Sequence, residues 1–159
     1  MRYVVPYTAF LKLSQLGQDV LPPYRESMVE VAMSPDMESA YQYLERTLVE
    51  ELRRALRAGD KSLMGVVLNA LLAWPECCFR PETVRHPHTK SVLLSLPALY
   101  GNQEMTPKEG ALLERVRREA AHGRRTLVYT TYTGTRDTSA RLKAVSYTHL
   151  RAHETREDL

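Results

Sequence analysis

The sequence predicts a mainly α fold with a minor α/β part, a helical hairpin followed by one helix–strand–helix unit. Three observations predict it. Apolar residues from Met37 to Ala55 recur at spacings of four and three, the period of one face of an α-helix. A second apolar stripe with the same rhythm begins just across the Gly59-Asp60 turn, as in a helical hairpin. A third helical pattern, opened by Thr106-Pro107, leads into the apolar run Leu127-Val128-Tyr129 and a Thr/Gly loop before helical spacing resumes.

Composition bounds the rest. A chain of 159 residues is long enough for one compact domain with a core. Its 43% hydrophobic and 26% charged content is that of a folded chain rather than a disordered one. A formal charge of +3 permits a polyanionic partner without singling one out. Cys77 and Cys78 are adjacent and are the only cysteines, so the chain has neither a disulfide framework nor a paired C-x-x-C zinc motif. No stretch approaches the ~20 apolar residues of a membrane span, and the first residues lack the apolar centre of a signal peptide. The expectation is a cytoplasmic protein in a reducing setting, with no membrane partner.

The elements follow in order. A short helix is expected within residues 1–19, stopped by Leu21-Pro22-Pro23 because proline lacks the donor and biases its predecessor to extended geometry. Val29, Val31 and Met33 alternate, which predicts a half-buried strand over residues 27–33. Ser34-Pro35-Asp36 is a helix start: a capping hydroxyl, a proline at the first helical position and an acid in the first turn. Met37, Tyr41, Leu44, Leu48, Leu52 and Ala55 then face inward, and Gly59 ends the helix. Glu45, Arg46, Glu50, Arg53, Arg54 and Arg57 read as its solvated face. A second helix over residues 62–74 buries Leu63, Val66, Val67, Ala70 and Leu71, with Pro75 closing it.

Residues 75–100 hold four of the nine prolines and read as an irregular connection. Cys77, Cys78, His86 and His88 lie within it. Adjacent cysteines chelate one ion with poor geometry and the His-Pro-His spacing lacks helical support, so these read as loop residues and no metal site is expected. Thr106-Pro107-Lys108-Glu109 is a capping box, and Leu112, Leu113, Val116 and Ala120 form the buried stripe of the helix it opens. Gly123 ends that helix. The apolar centre of residues 126–131 suits a central strand of a parallel sheet. A polar loop through Thr133, Gly134 and Thr135 follows, and Arg136 to Ala144 return to helical spacing.

Two stretches carry a resemblance. LPPYRESMVEVAMSPDMESAYQYLE, residues 21–45, resembles the segment after the first motor lobe of Swi/Snf-type superfamily 2 ATPases. Leu21, Pro22, Glu26, Val29, Val31, Ser34, Pro35 and Tyr41 fit that pattern. TPKEGALLERVRREAAHGRRTLVYTTYTGTRDTSARLKA, residues 106–144, is similar to the start of the second RecA-like lobe of the same P-loop NTPases, including the region called motif IV in helicases. The resemblance implies a division in which residues 1–33 end the first lobe, 34–75 form the helical hairpin, 76–105 link, and 106–144 begin the incomplete second lobe. It implies a parent that couples ATP turnover, with Mg, to movement along nucleic acid, DNA in the Swi/Snf-type enzymes. It also implies a partner in the missing remainder of the same polypeptide.

The catalytic parts of such a motor are not in this sequence. No G-x-x-x-x-G-K-[ST] occurs, since none of the seven glycines precedes a lysine. Nor does an Asp-Glu metal pair follow a strand, and no Gly-Arg-x-x-Arg supplies an arginine finger. The expectation is a fragment that lacks ATPase competence, with no catalytic residue, cofactor site or metal ligand of its own.

Residues 145–159, VSYTHLRAHETREDL, change character. The codons GTC TCT TAT ACA CAT CTC CGA GCC CAC GAG encode Val145 to Glu154 and resemble a transposase-based sequencing-library adapter. The segment is therefore expected to be non-native, and no role is assigned to His149 or His153.

The candidate site is the loop after the apolar run. Free amides at a helix N-terminus, a glycine that allows close approach and a neighbouring cation suit a phosphate. The resemblance implies that Thr131, Thr133, Gly134 and Thr135 donate to a nucleic-acid phosphate and that Arg136 neutralises it. The competing reading of the same residues is a loop capped by Thr135 or Asp137. The alternative for the whole chain is a small, self-contained helical nucleic-acid-binding or adaptor protein. The unpartnered run Leu127 to Tyr129 counts against that alternative.

Overall fold

The computed structural model describes residues 25–157, with side chains described through residue 148. The expected helix in residues 1–19 lies outside the described residues. The chain divides into two units, Met1–Glu30 and Val31–Leu159. Residues 25–30, the described part of the first, are exposed and carry no secondary structure. The order of elements is α1 (Pro35–Arg57), α2 (Leu63–Cys77), β1 (Glu82–Arg85), β2 (Val92–Leu96), α3 (Pro107–Ala121) and α4 (Thr138–Glu157). The fold is mainly helical, and its only sheet among the described residues is the antiparallel pair β1–β2.

Helix α1 starts as its sequence dictates: the Ser34 hydroxyl accepts from the Met37 amide at 3.3 Å, and Pro35 occupies the first helical position. It ends at Gly59, whose φ of +80° suits glycine, with the Asp60 amide donating back to the Ala55 carbonyl at 2.9 Å. Leu63, Val67, Ala70 and Trp74 of α2 face Met37, Leu44 and Leu48 of α1 across the core, and Trp74 packs near Tyr41 with ring centroids 6.1 Å apart.

Two expectations in this region need correction. Pro75 does not close α2, which runs on to Cys77. A proline in the last turn removes a single donor, and the buried Trp74 and Cys77 on either side hold the extra turn against the core. The connection read as irregular contains a β-hairpin. Its register pairs Glu82 with Leu96, Thr83 with Ser95, Val84 with Leu94 and Arg85 with Val92, with an irregularity between Val84 and Arg85. Pro81, Pro87 and Pro97 flank the two strands rather than interrupt them, which is where a hairpin tolerates proline. Val84, Leu94 and Leu96 turn inward and complete the core under the two helices.

The strand expected over residues 27–33 does not form. Val29 is 59% and Val31 is 38% exposed, and only Met33 packs against the core. Alternation marks a strand only where a neighbouring strand takes up its hydrogen bonds, and none lies beside it among the described residues.

Helix α3 carries the full capping box. The Thr106 hydroxyl accepts from the Glu109 amide at 3.2 Å, while the Glu109 carboxylate accepts from the Thr106 amide at 2.8 Å. Gly123, with φ of +68°, follows its end. Residues 124–130, expected to include a parallel strand, are irregular, with Leu127 76% and Tyr129 86% exposed. The cause is the same: no strand stands beside them among the described residues.

Helix α4 packs on α3 through a buried ion pair. Arg141 donates to Glu109 from Nε to Oε1 at 2.8 Å and from Nη2 to Oε2 at 3.1 Å, and both side chains are buried. The same guanidinium donates to the carbonyls of Gly101 and Asn102 at 3.1 Å and to that of Glu104, and it stacks over Phe79. One arginine thereby fixes the α3 capping box, the 101–104 turn and the end of α2. The helix continues through the segment expected to be non-native, and Val145 is buried. Its Ala, Leu, Arg and Glu residues sustain a helix already nucleated by the packed turns before them.

Candidate nucleic-acid phosphate interface

The loop between residue 130 and α4 is built by short-range polar contacts. The Tyr132 carbonyl accepts from the Thr138 amide at 3.1 Å and from the Thr138 hydroxyl at 2.8 Å. Thr130 and Thr138 hydroxyls meet at 2.8 Å, and the Asp137 amide donates to the Gly134 carbonyl at 3.0 Å. Asp137 adopts a φ of +47°, and its carboxylate accepts from the Ala140 amide at 3.4 Å. It therefore sits as the cap of α4, the role that the competing reading gave to Thr135 or Asp137.

Thr131, Thr133, Gly134 and Thr135 are exposed, and nothing lies within 4 Å of where a Cβ on Gly134 would stand. Four of the five candidate residues are thus exposed, Thr131 bordering a pocket with residues of α2, α3 and α4 and Thr135 one at the start of the hairpin. Arg136, the fifth, turns the other way. Its Nη2 donates to Glu82 Oε1 at 3.0 Å, its guanidinium lies 5.8 Å from the Tyr132 ring centroid, and its side chain is only 21% exposed.

Arg80 and Glu82 had no signal in the linear sequence, being 55 and 54 residues from their partners in the loop. They come from the start of the hairpin in the segment read as irregular. Arg80 donates to the Thr135 carbonyl, so the loop is held from both ends of one short charged stretch. Arg80, Pro81, Glu82, Thr83, Thr135 and Arg136 line a polar cavity of about 300 Å³.

The other candidate ligands lie apart from this loop's open face. Cys77 is the last residue of α2 and Cys78 its cap, so neither is an ordinary loop residue, and both are fully buried. Burial pushes the Cys77 thiol above its ordinary range, partly opposed by the Arg136 guanidinium beside it. Burial pushes Cys78 up to about 11. Both therefore stay protonated at neutral pH, the form that is neither nucleophile nor good metal ligand. His86 is placed in the hairpin turn, its Nε2 3.4 Å from Asp60 Oδ2 and its Nδ1 accepting from the His88 amide at 3.2 Å. Among the described residues, no three of His, Cys, Asp and Glu come together as a metal cluster. No described helix is long and apolar enough to cross a membrane.

No protein-family profile, curated protein or solved structure matches this chain.

Proposed function

We propose that the chain is a piece of an ATP-dependent superfamily 2 helicase or DNA translocase, covering the inter-lobe segment and the start of the second RecA-like lobe. On this reading residues 145–159 are not native to it, and the parent supplies ATP and Mg binding from sequence outside this piece. The observation that carries the reading is the open loop after residue 130. Thr131, Thr133, Gly134 and Thr135 are each exposed in the loop before α4, and the Arg80 and Arg136 guanidinium groups lie at its Thr135 end. Small hydroxyls, a glycine and cations in that arrangement suit a phosphate backbone, whose contacts position without reading sequence. The exposed apolar run Leu127 to Tyr129 supports the same reading, because such a run belongs inside a larger sheet.

The test is fluorescence anisotropy of a labelled oligonucleotide with the intact chain across a salt series. Weak binding is expected, with the logarithm of the association constant falling linearly with the logarithm of salt concentration. Arg136→Gln is expected to weaken it and to flatten the slope by about 0.9, one phosphate contact. No binding at low salt, or a slope untouched by the substitution, would count against the reading. A specific observation favours a second reading: Met64, Leu68 and Leu72 form an exposed apolar stripe on α2, 51%, 57% and 61% exposed, as in a helical adaptor protein. Binding to a protein partner with no affinity for oligonucleotide would favour it.

A further inference from the structure

We infer that the anion site extends beyond the loop: Arg80 is its second cation, and Glu82 is an internal carboxylate that holds Arg136 until a phosphodiester displaces it. This rests on the phosphate-binding reading of the loop and deepens it. Three independent features of the structure support it. The first is the cavity of about 300 Å³ bounded by Arg80, Glu82, Thr83, Thr135 and Arg136, in which hydroxyl donors and guanidinium groups converge from two elements far apart in sequence. The second is charge. Two arginines and one carboxylate line the cavity, leaving one net positive charge, the complement of a single phosphodiester. Asp137, the nearest further acid in the chain, is directed to the Ala140 amide and is not part of the lining.

The third feature is unused donor capacity. Arg136 Nη2 is taken by Glu82 and the guanidinium lies beside the buried Cys77 thiol, yet Nη1 makes no hydrogen bond to an oxygen or nitrogen acceptor among the described residues. A buried donor left unpaired is costly, so this arginine is not fully satisfied by its present partner. Arg80 gives one hydrogen bond to the Thr135 carbonyl, and a guanidinium carries five donors in a planar fork. A carboxylate and a phosphate compete for the same fork. With Glu82 in place the site is neutralised from within; with a phosphodiester bound, Arg136 and Arg80 bracket it and Glu82 moves aside. The hairpin thereby senses occupancy of the loop, since Glu82 opens β1 and pairs across to Leu96.

The experiment compares the intact chain with Glu82→Gln, Arg80→Gln and Arg136→Gln, reading affinity for a labelled oligodeoxythymidylate and its salt slope, with circular dichroism confirming the fold of each. Glu82→Gln, which removes the competing charge, is expected to bind about threefold tighter, the scale of a partly exposed ion pair. Arg80→Gln is expected to bind several-fold weaker and to lower the salt slope by about 0.7, one contact on a single strand. If Arg136→Gln weakens binding while Arg80→Gln and Glu82→Gln match the unsubstituted chain, the extended site is refuted and the loop reading stands. If Arg136→Gln also has no effect, both fail. Should Glu82→Gln not fold, arginine side-chain nitrogen NMR on the unsubstituted chain decides. The Arg80 and Arg136 signals must move together as the same oligonucleotide is added; movement of one alone, or of neither, overturns the inference.

Discussion

The stretch from α1 to β2 and the stretch from α3 to α4 are held together by different forces. In the first, Leu44, Leu48, Leu63, Val67, Trp74, Val84 and Leu94 are all buried in one apolar cluster that both helices and the hairpin share. In the second, among the described residues, the buried apolar side chains are Leu113 and Val145, and the remaining buried groups are polar: Thr106, Glu109, Thr138 and Arg141. Its most apolar run, Leu127 to Tyr129, is on the outside. The first region has a closed apolar core, with Met64, Leu68 and Leu72 exposed on α2. The second is tied by caps and one buried ion pair, with Leu127 and Tyr129 exposed.

Substitutions sharpen this contrast, beginning with the largest effect. Trp74→Ala, at the centre of the first region, is expected to cost about 3–5 kcal/mol and to abolish cooperative unfolding of α1, α2 and the hairpin together, read by chemical denaturation. Glu109→Ala removes one partner of the buried pair, but Arg141 keeps its three backbone carbonyls. Its cost is expected to be about 2–3 kcal/mol, confined to α3 and α4, with amide exchange in α1 and α2 unchanged. Loss of protection throughout would break the distinction between the regions.

The Cys78 thiol offers a smaller, pH-dependent effect. Its folded value of about 11 lies above the ordinary 9.0, so the protonated thiol favours the fold. That contribution is complete below pH 9 and is lost as the pH rises through about 11. The fall is expected to be about 1–2 kcal/mol by urea denaturation and to be absent in Cys78→Ala. Smallest of all, Leu127→Ser and Tyr129→Ser are expected to shift stability by no more than about 0.5 kcal/mol because both side chains are already in solvent, while reducing self-association in analytical ultracentrifugation. A large loss of stability would mean that the run is packed after all.

Much of the helical architecture was legible because helix signals are local. Ser34-Pro35, Gly59, the Thr106–Glu109 box and Gly123 each act within one turn of chain, and the structure places all four where the residue types require. Strands were not legible for the complementary reason. Val29 and Val31 alternate, and Leu127 to Tyr129 are apolar, yet neither run pairs with a strand among the described residues. The hairpin, flanked by prolines and short on alternation, forms because Val84, Leu94 and Leu96 meet a helix surface that the linear pattern does not reveal. The candidate loop was legible in its small polar residues but not in its charges. Arg136 is paired to a carboxylate from a segment read as irregular, so its partner became visible only in three dimensions.

Sequencing the source locus across both ends of the reading frame decides whether this chain is part of a nucleic-acid motor. A motor requires a P-loop and an Asp-Glu metal pair upstream of Met1. Downstream of Ala144 it requires further strands and a Gly-Arg-x-x-Arg motif in place of residues 145–159. Genomic codons for Val145 to Leu159 followed by a stop, with no P-loop upstream, would contradict it.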